Sequence, residues 1–156
     1  MKFYLDCEFD GWMGALISMA LVSEAGDEFY WCIDPHERWA KDEWVVQNVL
    51  PILECDGARR TQHYDLSGGL SRWLLRTAAQ TNAHIIVDWP DDVAYFCRAM
   101  ITGPGERIDT PPLSFEVTRV DAYPTTLAGA VQHNALWDAR ALRHRLAASA
   151  PSEENT

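Results

Sequence analysis

Two carboxylates stand two residues apart, Asp6 and Glu8, in an otherwise apolar run at the head of the chain, Met-Lys-Phe-Tyr-Leu-Asp-Cys-Glu-Phe-Asp. If residues 3–9 form a strand, Phe3, Leu5, Cys7 and Phe9 point to one face while Asp6 and Glu8 share the other. Like charges repel, and buried charge needs a partner, so the pair calls for a cation between the two acids. A divalent metal, which takes oxygen ligands, is the natural one. The alternative is an edge strand with a solvated acidic face, and this strand alone does not choose between them.

Two later segments carry further acids and a histidine. Asp88-Trp89-Pro90-Asp91-Asp92 closes an apolar run and opens a helical one. Helical phase puts Val93, Cys97 and Met100 on a core stripe and Asp92 with Phe96 at its edge. Asp91 falls with Tyr95 and Arg98 toward water, so Asp92 is the better inward carboxylate, ahead of Asp91 and Asp88. Acids in this position also complement the positive end of a helix dipole, which is a sufficient reason for them without any metal.

The other segment is His133-Asn134-Ala135-Leu136-Trp137-Asp138-Ala139. On one continuous helix, His133 and Asp138 would point about 140° apart. They converge only if His133 lies in the preceding loop, with Asn134 near the cap and Asp138 one turn inside. Leu136, Ala139, Leu142 and Leu146 then form the buried side. Taken singly, a histidine at a helix start is more often a surface or capping residue than a catalyst.

These residues need elements to position them. The pattern predicts strands over 3–9, 15–23 and 28–34, the last two joined by a turn at Glu24-Ala25-Gly26-Asp27. A helix is expected from Asp42, with Val45, Val49 and Ile52 on one stripe and Val46, Leu50 and Leu53 beside it, distorted or ended near Leu50 by Pro51. A second helix, capped by Asp65 or Ser67, runs to Ala79 with Leu70, Trp73, Leu74 and Thr77 on its core side. A buried strand over 84–87 leads into a helix from Pro90 to about Met100. The proline- and glycine-rich stretch 102–112 reads as a mobile loop or an arm for a partner. A strand over 113–120 and a helix over 134–148 close the domain. A hairpin meander followed by strands separated by helices indicates an α/β mixed sheet with helices on its faces. The expected organisation is one domain over 1–148 with a disordered tail over 149–156.

In combination, Asp-x-Glu on the first strand, an Asp opening a central helix and His-x-x-x-x-Asp at the last helix resemble the DEDDh 3′-to-5′ exonucleases, whose fold is ribonuclease H-like. Trp44-Val45 with Val49-Leu50-Pro51, and His133-Asn134-Ala135-Leu136 with Asp138-Ala139-Arg140, resemble the small stand-alone bacterial and phage branch that includes mycobacterial-type exoribonucleases. The asparagine that precedes the central Asp in many proofreading relatives is absent. The resemblance implies two Mg²⁺ or Mn²⁺ ions held by Asp6, Glu8, Asp92 and Asp138. Asp6 would bridge the pair, and His133 would serve as general base. It also implies a nucleic acid 3′ end, RNA or DNA, as partner, and it admits a homodimer. A silent binding or assembly module of the same fold, and a two-metal phosphatase for small nucleotides, are the alternatives.

Composition sets outer limits. A net charge of -10 argues against gripping nucleic acid by bulk positive charge, though not against binding phosphate through metals held by carboxylates. The cysteines Cys7, Cys32, Cys55 and Cys97 form no Cys-x-x-Cys pair and are expected as free thiols. No run reaches the roughly 20 apolar residues of a membrane span. Asp6 and Glu8 come too early for a signal peptide, so a cytoplasmic protein with no membrane partner is expected.

Overall fold

The computed structural model describes residues 1–34, 40–60, 65–79, 81–119 and 127–148. Its centre is a five-stranded mixed sheet in the order β3-β2-β1-β4-β7. Strands β1 (Lys2–Phe9), β2 (Leu16–Ser23) and β3 (Glu28–Cys32) form the antiparallel meander, and β4 (Ala83–Val87) and β7 (Leu113–Val117) run parallel to β1. The expected mixed sheet with flanking helices is therefore present.

Alternation along β1 sorts its side chains as the sequence requires. Phe3, Leu5 and Cys7 enter a core with Leu70, Trp73 and Leu74 of α2 (Leu66–Ala78) and Tyr95 and Phe96 of α3 (Pro90–Ala99). On the opposite face, Ile17, Ala20 and Val22 of β2 pack with Val45 of α1 (Glu43–Asn48) and with Ala135, Leu136 and Ala139 of α4 (Ala135–Ala148). Asp6 and Glu8 are thereby directed to the α1/α4 side, at the end of the strand where the chain leaves the sheet.

Local chemistry sets the helix ends. Asp42 caps α1 by accepting from the Val45 N–H, and Pro51 turns the chain into a 3-10 segment, Leu50–Ile52. Of the second stripe expected here, Leu53 is buried while Val46 stays exposed. Asp65, not Ser67, caps α2 through the Gly68 N–H.

Three expectations change. On α3 the buried residues are Asp92, Tyr95, Phe96 and Ala99, so Tyr95 is not on the water face. Its ring stacks on Phe9, centroids 4.8 Å apart, and its hydroxyl donates to the Gly14 carbonyl, partners supplied by the end of β1 and the loop after it. The stretch 102–112 begins as a hairpin of β5 (Ile101–Gly103) and β6 (Glu106–Arg107), turning at Gly105 with φ 75°. It is docked, because Ser71 Oγ–H of α2 donates to the Asp109 carbonyl. Finally, two strands stop early, β3 at Cys32, short of Asp34, and β7 at Val117, with Thr118 and Arg119 already outside it. Val120 and the tail 149–156 lie outside the described residues. All four cysteines are free thiols. No helix among the described residues is long and apolar enough to cross a membrane.

Gly14 is sterically obligatory, since a Cβ there would lie 1.8 Å from the Asp10 carbonyl oxygen. Backbone cannot give way as a flexible side chain can. Gly14→Ala is expected to lower stability by about 1–3 kcal/mol, the usual range for overpacking. Chemical denaturation checks this, and an unchanged midpoint would sink it.

Candidate metal centre

The acids converge at the end of the sheet because four elements deliver them there. Asp6 and Glu8 come from β1. Asp88 follows β4, and Asp92 sits in the first turn of α3, which Pro90 starts. Asp138 lies in the first turn of α4. His133 is in the loop before that helix, which resolves the angular problem posed by the spacing. Its own backbone N–H donates to Asp138 Oδ2 at 2.9 Å.

Two clusters result. Ligand atoms of Asp6, Asp88 and Asp92 lie within 4.8 Å of one another, and so do those of Glu8, His133 and Asp138. All five residues singled out in the sequence, Asp6, Glu8, Asp92, His133 and Asp138, line one cleft of about 720 Å³. Asp91 also lines it but belongs to neither cluster, and its Oδ2 accepts from the Trp89 indole N–H. Asp88, ranked behind Asp92 on phase, joins the first cluster beside it. The division assigns Asp6 to the half with Asp88 and Asp92, and places His133 within ligand reach of Glu8 and Asp138.

The electrostatics are those of a cation site. Asp92 is 1% exposed, and neither its Oδ2 nor that of Asp6 has a hydrogen-bond partner among the described residues. A buried, unsatisfied carboxylate oxygen is costly unless it is protonated or bound to a cation. Burial first, then Asp92, Asp138, Glu8 and Asp88, holds the Asp6 carboxyl well above the usual range. Glu8 is pushed up to about 8 by burial and by Asp138. Asp92 is likewise pushed up to about 8 by burial, Asp88 and Glu8, against a lowering backbone N–H of Cys7. Burial lowers His133 below the ordinary imidazole value, which favours its neutral form. These clusters could hold a metal ion: the donors are hard oxygens with one imidazole, and Asp6 Oδ2 and Asp92 Oδ2 have no hydrogen-bond partner among the described residues. No protein-family model matches the chain, and no curated protein matches it.

Sequence reading overlooked the aromatic wall of the cleft. Trp12, Trp44 and Trp89 line it and are 87%, 50% and 58% exposed. Trp12 is presented on a braced loop. The Asp10 carboxylate accepts from the Lys41 and Asp42 N–H groups, and Tyr95 holds Gly14. Both Gly11 and Met13 adopt positive φ, 67° and 57°. The available signal was two large apolar residues, Trp12 and Met13, set between glycines where a turn would ordinarily be polar.

The raised carboxyls fix the sign of the pH dependence without metal. The folded chain retains protons on Glu8 and Asp92 up to about pH 8, whereas the unfolded chain releases them near pH 4. Folding therefore takes up protons within this window, and stability rises as pH falls from above 8 toward 4. Thermal melts in chelator should show a higher midpoint at pH 6 than at pH 9, and Asp6→Asn should raise the pH 9 midpoint. Excess Mn²⁺ should raise the wild-type midpoint most at the alkaline end. Melts in chelator that fall on acidification through this window would contradict the assignment.

Proposed function

We propose that the chain is a metal-dependent 3′-to-5′ exonuclease of ribonuclease H-like architecture, releasing nucleoside 5′-monophosphates from the 3′ end of RNA or DNA. The observation that carries this reading is the convergence of Asp6, Glu8, Asp92, Asp138 and His133 on one cleft, with buried carboxylate oxygens that want a cation. Asp6, Asp88 and Asp92 would hold one divalent ion and Glu8 with Asp138 the other. Two such ions, Mg²⁺ or Mn²⁺, supply the positive charge that activates a water and stabilises the leaving oxygen of an in-line displacement.

The protein's own groups then have separable tasks. His133, whose neutral form burial favours, would accept the proton of the attacking water on a ring nitrogen. The new P–O bond would form as the P–O3′ bond breaks, and the departing O3′ would take a proton from solvent water, leaving a 3′-hydroxyl on the shortened strand. Trp44 meets the His133 ring edge-on, centroids 4.8 Å apart, and limits its rotation. Trp12 and Trp89 offer apolar faces on which unpaired bases can lie, which favours a single-stranded end over a paired one. Among the described residues lining the cleft there is no Lys or Arg.

A cleavage panel of matched RNA and DNA 3′ ends with Mg²⁺, Mn²⁺ or chelator tests the reading. Mononucleotides should appear with metal and vanish with chelator. Asp6→Ala and Asp138→Ala should each lower the rate by roughly a thousand-fold, equivalent to about 4 kcal/mol of barrier. His133→Ala should cost roughly 10²–10⁴-fold with Mn²⁺ affinity retained. Activity on mononucleotides alone would make the protein a phosphatase. Failure to release mononucleotides from every end tested, with either metal, would end the nuclease reading.

A further inference from the structure

We infer that Asn134, which does not line the cleft, is a positioning residue that holds His133 in place by locking two distant segments together, a role that rests on the nuclease reading above. Asn134 is fully buried, and both ends of its amide are engaged. Oδ1 accepts from the Trp137 N–H at 3.2 Å, as a helix cap does. Nδ2 donates to the Ile52 carbonyl at 2.8 Å, and more weakly to the Leu53 carbonyl and the Tyr30 hydroxyl, each at 3.3 Å. The Tyr30 hydroxyl itself donates to Leu53 O at 2.6 Å.

Capping accounts for only half of this. The oxygen alone caps α4, and serine or aspartate would do as well on a surface. The nitrogen reaches carbonyls more than 80 positions away in sequence, at the end of the segment that begins with α1. The other end of that segment is held by Asp10, which accepts from the Lys41 and Asp42 N–H groups. Between these two anchors sits Trp44, against the His133 ring.

His133 needs this support. Its φ of 65° lies in the left-handed region, which side chains with a Cβ enter at a cost and keep only where surroundings enforce it. The next residue in the chain is Asn134. Its bridge fixes the backbone on one side of the imidazole, and the segment it grips brings Trp44 to the other. Without the bridge, His133 can relax toward negative φ and carry its ring away from Glu8 and Asp138.

Asn134→Asp and Asn134→Ser separate the two roles, since each keeps a capping oxygen and loses both amide hydrogens. Expected for both is a fall in kcat of roughly 100-fold, the scale of a misplaced catalytic group. KM for a single-stranded oligonucleotide and Mn²⁺ affinity by calorimetry should stay within about two-fold. The His133 Cε1–H proton resonance, shifted by the Trp44 ring, should move toward that of a free histidine in the metal-free variants. Tyr30→Phe, which leaves the Ile52 bond intact, should cost far less and serves if the Asn134 variants do not fold. Retention of kcat and of the His133 resonance by both variants, even with a lowered melting point, would reduce Asn134 to a helix cap. Should the wild type release no nucleotide, the nuclease reading falls separately, and the resonance still decides whether the bridge places His133.

Discussion

Mutual repulsion among carboxylates that are also being desolvated is the constraint around which this structure is arranged. Burial weighs most on Asp6, and Asp92, Asp138, Glu8 and Asp88 add their repulsion to it. A chain can keep such a cluster only if the surrounding packing is strong enough to hold it, and if the charge is neutralised by protons or cations. Both faces of β1 meet that demand. Phe3 and Leu5 anchor the strand in one core, and α4 covers the acidic side.

Topology then decides where the cluster forms. Because β1 and β4 run parallel, their carboxyl ends lie side by side, and Glu8 and Asp88 emerge at the same edge of the sheet. In open α/β sheets, this end is where connections diverge and ligands bind. The amino ends of α3 and α4 reach the same place, with Asp92 and Asp138 in their first turns. Each helix brings partial positive charge to bear on the acids it carries, offsetting part of the repulsion without filling a coordination position.

What could be read in the sequence follows the range of the interactions involved. Asp6 and Glu8 were legible because alternation is a local property and the apolar partners Phe3, Leu5 and Cys7 fix the face. His133 and Asp138 were legible because a five-residue spacing works only across a helix start. Asp92 was singled out from a stripe that the structure redraws, since Tyr95 is buried by Phe9 and Gly14, and no period within α3 contains those partners. The role of Asp88 was not legible, since its place depends on the parallel pairing of β1 with β4. Trp12 was missed because exposure of an aromatic residue is a tertiary fact. The bridge from Asn134 to Ile52 is likewise invisible to any local pattern.

The charge balance also bears on how an anionic partner could enter. With a net charge of -10 and a described cleft lining without Lys or Arg, a phosphate approaching the bare site finds no cationic side chain to pair with. On the nuclease reading, cations held by the acids therefore serve binding as well as chemistry, because they reverse the sign of the cleft before a strand can settle. The tryptophans then act on the bases, for which charge is irrelevant. This division separates two sources of affinity: one requires metal at the carboxylates, and the other depends on the unpaired state of the strand. On that reading the site needs no basic surface, and an acidic protein could accept a polyanionic strand.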